Sequence, residues 1–312
     1  MKTGKHKITA ITREGSSSEI PSGVEVRKVD YENSSSLVAA LKGHDLFIIT
    51  MGVTAPPDTQ TKLIEAAAEA KIPWIIPNEY GNDTNNDQVN KDILIGGGKK
   101  QIRQHIEQLG LSWIGICSGF WYEFSLCGGL DRYGFDLNNR TITWFDDGNV
   151  KLDTSTFPQV GRAVVSLLSL KVLPEDENDN SPTLSHWRNK FVHFNSFHVS
   201  QKDMFESVLR VSGTKASDWT QNTVSIKEWY EDGVAMMQKG NRQGFGKLLY
   251  GRYFFPDAPG NLEKLGFELD NGKLGLPEED LDEYTKIAFQ MAKDGYMEKQ
   301  YGHMMRQAQD KK

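Results

Sequence analysis

Cysteine is scarce in this chain, with two in 312 residues, Cys117 and Cys127. There is no HxxxH, no HExxH and no Cys/His cluster, which leaves no metal-ligand spacing and no disulfide framework. The two thiols read as free cysteines of a reducing compartment, and the expected location is cytoplasmic. No apolar run approaches the roughly 20 residues of a membrane span, and no charged-then-apolar leader opens the sequence. No Lys/Arg block is longer than two residues, as at Lys311-Lys312, and the net charge is −6. That balance argues against a general nucleic-acid or membrane-surface binder. A GxSxG elbow is missing, so a serine hydrolase of that type has no support. Also missing is G-x-G-x-x-G: the clusters GGG (96–98) and CGGLDRYG (127–134) lack its spacing and do not sit between a strand and its helix.

What is present is a globular composition, 38% apolar and 25% charged, without internal repeats. The first half alternates short apolar runs with helical stretches. Lys7 to Arg13 and Val24 to Val29 read as strands, then Ser34 to Leu41 as a short helix with serines as possible caps. HDLFIIT (44–50) reads as a buried parallel strand. DTQTKLIEAAAEAK (58–71) is an Ala-rich helix after Pro56-Pro57, with Asp58 as its cap. IPWIIPN (72–78) and LSWIGICS (111–118) are further strands, on either side of a helix KKQIRQHIEQLG (99–110) that Gly110 stops. Alternation of this kind implies a parallel sheet covered on both faces, the Rossmann-type α/β class. The second half is less regular. Helices are expected over 159–170, 200–213 (capped by Ser200) and 276–295, a strand over 190–197 and an acidic loop over 174–182.

Ligands of such sheets bind beyond the carboxyl ends of the strands. The positions to inspect are therefore Thr12-Arg13, Asp30-Tyr31, Thr50-Met51-Gly52, Pro77-Asn78 and Ser118-Gly119-Phe120. Arg13 can grip a nucleotide 2′-phosphate by paired hydrogen bonds, or be a solvated strand-end arginine. Lys99 and Lys100 open a helix. With Ile102, Ile106 and Leu109 as its buried stripe, Lys99 lies about 60° from Ile102 and Lys100 about 160° away. Lys99 is thus aimed toward the sheet, although a helix lysine with its stem on apolar surface has the same pattern. SGFWYEF (118–124) brings aromatics that can wall a pocket for a flat substrate or fill a core. Tyr80 carries the same two readings.

Together these segments resemble the isoflavone-reductase-like and NmrA-like proteins, atypical short-chain dehydrogenases. KHKITAITRE (5–14) is similar to that family's second strand with its phosphate-reading arginine. The most distinctive stretch is TQTKLIEAAAEAKIPWIIPNEYGND (59–83), where a Gln- and Ala-rich helix leads to a Pro-Ser-Glu-Phe-Gly-type turn, here Pro77-Asn78-Glu79-Tyr80-Gly81. KKQIRQHIEQLGLSWIGICSGFW resembles the lysine-bearing helix and the strand after it, and QVGRAVVSLLS and HVSQKDMFESVLRVSG resemble later elements. The resemblance implies a doubly wound, mostly parallel sheet and a smaller α+β substrate subdomain. It sets the cofactor domain at 1–125, with 155–172 packing back on it, and the substrate subdomain mainly at 126–312. It implies NADP(H) held by Thr12, Arg13, Asp30, Tyr31, Met51, Gly52, Pro77, Asn78 and Lys99. Lys99 would be the general acid/base, and Tyr80, Gly119, Phe120 and Trp121 would meet a small aromatic or conjugated substrate. No metal, nucleic acid or membrane is implied, and the oligomeric state is unread.

The chain departs from the family at its start. MKTGKH is similar to the end of the family's first helix, without the preceding strand and G-x-x-G-x-x-G turn. In the order 3-2-1-4-5-6 that strand is central. Its absence either leaves two strand edges unpaired or makes strands 7–13 and 45–50 pair directly. The expectation is a fragment of a longer coding sequence, or a genuine short form with weak cofactor affinity. Three functions follow: an NADP-dependent reductase, an NAD(P)-sensing regulatory protein of NmrA type, or a truncated inactive form.

Overall fold

The computed structural model describes residues 4–16, 19–52, 55–94 and 97–307. Residues 1–3 of MKTGKH, residues 95–96 beside the glycine cluster and the terminal Lys311-Lys312 lie outside the described residues. The chain divides into two compact units that interleave in sequence. The first takes the residues up to Tyr80, then Gly98–Ile116 and Leu167–Val192; the second takes Gly81–Gly97, Cys117–Ser166 and the residues from His193 on.

The first unit follows the expected alternation: β1 (Thr9–Arg13), β2 (Glu25–Val29), α1 (Ser34–Leu41), β3 (Leu46–Ile48), α2 (Thr59–Glu69), β4 (Trp74–Ile76), α3 (Gly97–Gln108), β5 (Ser112–Cys117) and β6 (Lys190–His193). β4 and β5 are buried along their whole length, as near-continuous apolar runs in a covered parallel sheet must be. Their order is β6-β5-β4-β3, with β3, β4 and β5 parallel. Gly115 in β5 leaves room for the Phe191 ring of β6; a Cβ there would collide with it. α2 buries Leu63, Ile64, Ala66 and Ala67, and its small residues let α1 pack against it. Two expected caps are corrected. Asn33, not a serine, caps α1 by accepting from the Ser36 N–H. Asp58 makes no capping bond at α2 and pairs instead with Lys62 at 2.8 Å.

β1 pairs with β2 in parallel, and these two make a separate sheet. Neither β1 nor β3 has a further strand partner among the described residues. Of the two arrangements expected for the sheet, the one with unpaired edges is observed.

A buried ion pair holds the turn after β4. Arg103 Nη1 of α3 donates to Glu79 Oε1 and Oε2 at 2.9 and 2.8 Å. Both side chains are about 4% exposed. The guanidinium also lies 5.2 Å from the centre of the Trp113 ring and 5.1 Å from that of Phe191. The Glu79 carbonyl accepts from the Ile116 N–H of β5 at 3.1 Å. One residue thus ties the turn to α3 by its side chain and to β5 by its backbone.

The second unit has its own core, built on Tyr122, Leu126, Tyr133, Phe135, Ile142, Met204, Leu248 and Tyr253. One small sheet joins Phe120–Trp121, Leu152–Ser155 and Phe197–Val199, and another joins Phe135–Asp136, Thr141–Phe145 and Thr220–Val224. The helix Gln201–Ser212 starts as read, on a Ser200/Asp203 capping box. The helix expected over 276–295 runs Leu281–Lys293 and is capped by Asp280.

Two outcomes are expected. Isolated two-stranded ribbons are marginal in water, so amides of β1 and β2 should exchange on the order of 100-fold faster than those of β4 and β5 by mass spectrometry; equal protection would refute the open edge. Arg103→Met strands a buried carboxylate and should cost about 3–5 kcal/mol in urea denaturation. The double change Arg103→Met with Glu79→Gln should recover most of that loss.

Candidate active site

The site residues of the first unit gather where its strands end. Arg13 is the last residue of β1 and is exposed. Its charge reaches the Tyr31 phenol, although burial dominates there and raises the Tyr31 pKa. Arg13 and Tyr31 therefore stand together, as the register of β1 on β2 requires, with Arg13 opposite Val29. The Thr12 hydroxyl is buried without a hydrogen-bond partner among the described residues. Asp30 turns its carboxylate to the Glu32 N–H at 2.9 Å, closing the loop into α1.

At the ends of β3 and β4 the expected residues hold one another. Asn78 accepts from the Met51 N–H and donates to the Met51 carbonyl, each at 3.2 Å. The Asn78 N–H donates to Gln60 Oε1 of α2 at 2.8 Å. Asn78 thereby staples the end of β3 to the turn after β4, as one side-chain amide matched to one backbone unit. Pro77 is buried and Gly52 exposed, so Gly52 leaves open backbone beside the staple.

α3 presents Lys99, Arg103 and Ile106 on one face. The stripe read from sequence needs correction here. Ile106 is fully buried and Arg103 is 3% exposed, whereas Leu109 is 36% exposed. The inward face is centred nearer Lys99 than Ile102 and Leu109 suggested, at about 20° from Ile106 to Lys99 by helical periodicity. Lys99 is half-buried, Lys100 exposed. Lys99 makes no hydrogen bond or ion pair among the described residues. Its pKa falls below the ordinary lysine value, chiefly because burial desolvates the ammonium; Glu79 opposes that fall and Arg103 adds to it. Tyr80 follows Glu79, and its hydroxyl is buried without a partner among the described residues. Burial raises its pKa strongly, so the phenol stays protonated.

Arg103 was not anticipated as part of this group. The signal was available: it lies four residues after Lys99, one helical turn, and a charged residue on a buried stripe needs a counter-charge. Glu79 in the distinctive turn is that partner.

Gly119, Phe120 and Trp121 belong to the second unit. Gly119 has φ +64°, and a Cβ would collide with the Asp153 carbonyl, so glycine is required. Phe120 is core: its ring stacks on Tyr250 at 4.1 Å and meets Tyr253 edge-on at 5.0 Å. Trp121 is half-buried against Phe157, with its indole N–H unpartnered among the described residues. Of the two readings kept for SGFWYEF, core packing describes Phe120. Glu123, two residues further, is buried and accepts from the Phe157 N–H at 3.2 Å. Desolvation lifts its pKa to about 7.

No described helix is long and apolar enough to cross a membrane. Among the described residues no group of His, Cys, Asp and Glu is placed to hold a metal ion.

This arrangement matches known proteins. Residues 1–128 match the model of the NmrA-like family. The chain is 28% identical over 284 residues to an oxidoreductase, aprR, of Aspergillus flavus, with 88% of each chain covered. Among solved structures, AtPrR2 with NADP+ and (+)-pinoresinol superposes with a TM-score of 0.68 at 17% identity, over 92% of each chain. An isoflavone reductase superposes with a TM-score of 0.65 at 19% identity, over 91% of each. At those identities the superpositions speak for the fold: a mixed α/β, mostly parallel, Rossmann-type architecture. With that fold, the matched first 128 residues and the order of strands, turn and lysine-bearing helix, the chain is similar to the isoflavone-reductase-like and NmrA-like proteins.

Proposed function

We propose that this protein is an oxidoreductase that uses NADPH to reduce a small aromatic or conjugated substrate, with Lys99 as the proton donor. The observation that carries the reading is Lys99 itself. It is a half-buried lysine on the inward face of α3, without an ion-pair partner among the described residues, one turn from a buried arginine that is already neutralised. A structural lysine in that position would be paired or would carry its ammonium to water. The name of the Aspergillus relative and the NADP+ in the AtPrR2 structure support the same reading.

The residues present fit the two ends of a dinucleotide. Arg13 offers a guanidinium at the carboxyl end of β1, where a 2′-phosphate is read. The orphaned Thr12 hydroxyl and the open backbone of Gly52 are further contacts there. Lys99 and Tyr80 offer hydrogen-bond donors at the other end. Between them, no glycine turn joins a strand to a helix among the described residues, so no residue is assigned to the pyrophosphate. When bound, the cofactor supplies a hydride. Lys99 Nζ then gives a proton to the substrate atom that gains negative charge. Arg103 keeps Glu79 occupied, so Glu79 steadies the lysine electrostatically without taking its proton.

The sign of the pH effect follows. The donor is the ammonium form, and its fraction falls as pH rises through the Lys99 pKa. Burial moves that pKa below 10.5, so the alkaline limb of kcat should lie below the ordinary lysine value.

Three measurements test the reading. NADPH should bind in calorimetry and lose absorbance with a panel of aromatic enones, quinones and benzylic ethers. Lys99→Met should weaken NADPH binding severalfold and lose turnover at saturating NADPH by about 10²–10⁴-fold, with the alkaline limb gone; unchanged turnover would refute the role. Arg13→Ala should cut the preference for NADPH over NADH by at least about tenfold, since a charge-assisted bidentate contact is lost. NADPH binding without turnover on any acceptor would favour a cofactor-sensing regulatory protein, and no binding an inactive form.

A further inference from the structure

The second unit carries a concavity of about 400 Å³ that the reductase reading does not use. Small-ligand pockets run from about 300 Å³ upward, so it can hold a molecule of one or two rings. One wall is the helix Leu281–Lys293, with Lys286, Phe289 and Lys293. Those three stand at i, i+3 and i+7, which is one helix face. Tyr284, Thr285 and Ala288 of the same helix are buried, so the lysine face is the one left outward. The facing wall is the turn 138–140, between the strands Phe135–Asp136 and Thr141–Phe145. Asn138 Nδ2 donates to the Ala292 carbonyl at 3.1 Å, which ties this turn to the end of the helix. Arg140 has φ +49°, and its carbonyl accepts from the Thr220 N–H at 2.9 Å, so the backbone carrying the guanidinium is pinned.

The deeper lining is aromatic. Trp219 is 5% exposed, and its indole N–H donates to Thr214 Oγ1 at 2.9 Å, which fixes the ring plane. Phe289 is half-buried beside it in the same lining.

The charge is one-sided. Arg140, Lys286 and Lys293 are exposed, and none of these side chains makes a hydrogen bond or ion pair among the described residues. Asp282 lies one turn before Lys286, but Arg210 takes both of its oxygens at 2.8 Å. Asp294 follows Lys293 and accepts from Gln290 Nε2 at 2.9 Å. The lining itself contains no Asp or Glu, in a chain with 42 acidic residues against 36 lysines and arginines. Three cations on one concavity repel one another, and an anion among them relieves that repulsion.

We propose that this concavity binds a small aryl phosphate monoester. Such an ester carries a charge of about −1.5 to −2 at pH 7 and three acceptor oxygens. That supplies one oxygen for each of Arg140, Lys286 and Lys293, where a carboxylate brings a single charge and two oxygens. The ring lies toward Trp219 and Phe289. Neither Arg13 nor Lys99 takes part, so the proposal stands or falls separately from the reductase reading.

The test is calorimetry on the full chain without NADPH, with 1-naphthyl phosphate, inorganic phosphate and 1-naphthalenesulfonate as probes. The naphthyl phosphate should bind, and added salt should weaken it. Inorganic phosphate, without the ring, should bind at least about tenfold more weakly. The sulfonate, with the ring but one charge, should bind severalfold more weakly. The double change Lys286→Ala with Lys293→Ala, both at exposed positions, should cost at least about tenfold in naphthyl phosphate affinity. Arg140→Gly, which suits the left-handed backbone there, should cost severalfold. Arg13→Ala should leave this affinity unchanged. Unchanged affinity in the double lysine variant, equal affinity for inorganic phosphate, loss of binding in Arg13→Ala, or no naphthyl phosphate binding up to its solubility limit would each overturn the proposal.

Discussion

The Glu79–Arg103 ion pair is the constraint on which the candidate site depends. Two charges about 4% exposed cannot stand alone in a parallel sheet's cover. Their mutual hydrogen bonds, with the Trp113 and Phe191 rings against the guanidinium, make burial tolerable. Once formed, the pair fixes the turn after β4 relative to α3. That in turn sets where Tyr80 leaves the sheet and which face of α3 is turned inward. Lys99 stands on that face, and its pKa is lowered chiefly by burial, with Arg103 adding to the fall. The same carboxylate that neutralises Arg103 limits how far the lysine can fall.

A second constraint acts at the neighbouring strand ends. Asn78 uses a single amide to satisfy both polar groups of Met51, and Gln60 satisfies the Asn78 backbone. Loops at the carboxyl edge of a parallel sheet have backbone groups that the ladder no longer pairs. Here they are paired with each other, so the edge is ordered in advance. Preorganised polar groups of this kind bind a ligand without the entropy of ordering the loop first. Arg13 and Lys99 are the contrasting cases. Both are cations left without an ion pair among the described residues.

Much of this was legible in the sequence. Strand and helix alternation, the α2 helix and the buried strands Trp74–Ile76 and Ser112–Cys117 follow from composition and period, because a covered parallel strand must be apolar on both faces. The Ser200 capping box was legible because all its atoms come from one short segment. Lys99 was placed inward by counting along the helix, though the stripe used was displaced, with exposed Leu109 taken as buried. The error arose because periodicity scores apolar residues as core, and here the centre of the buried face includes an arginine.

The sequence by itself determined the α/β class, the helix that carries Lys99 and the strand that ends in Arg13. These are local matters of period, propensity and turn chemistry. The tertiary structure decided the rest. Glu79 and Arg103 are 24 residues apart, and only packing shows that each is the other's partner. That Asn78, read as a ligand residue, also staples Met51 shows only in the packing, because Met51 comes to it from 27 residues away. Phe120 became core because Tyr250 stacks on it from far along the chain. Whether a polar side chain is free for chemistry depends on what desolvates it and what reaches it, and both are set by residues distant in sequence.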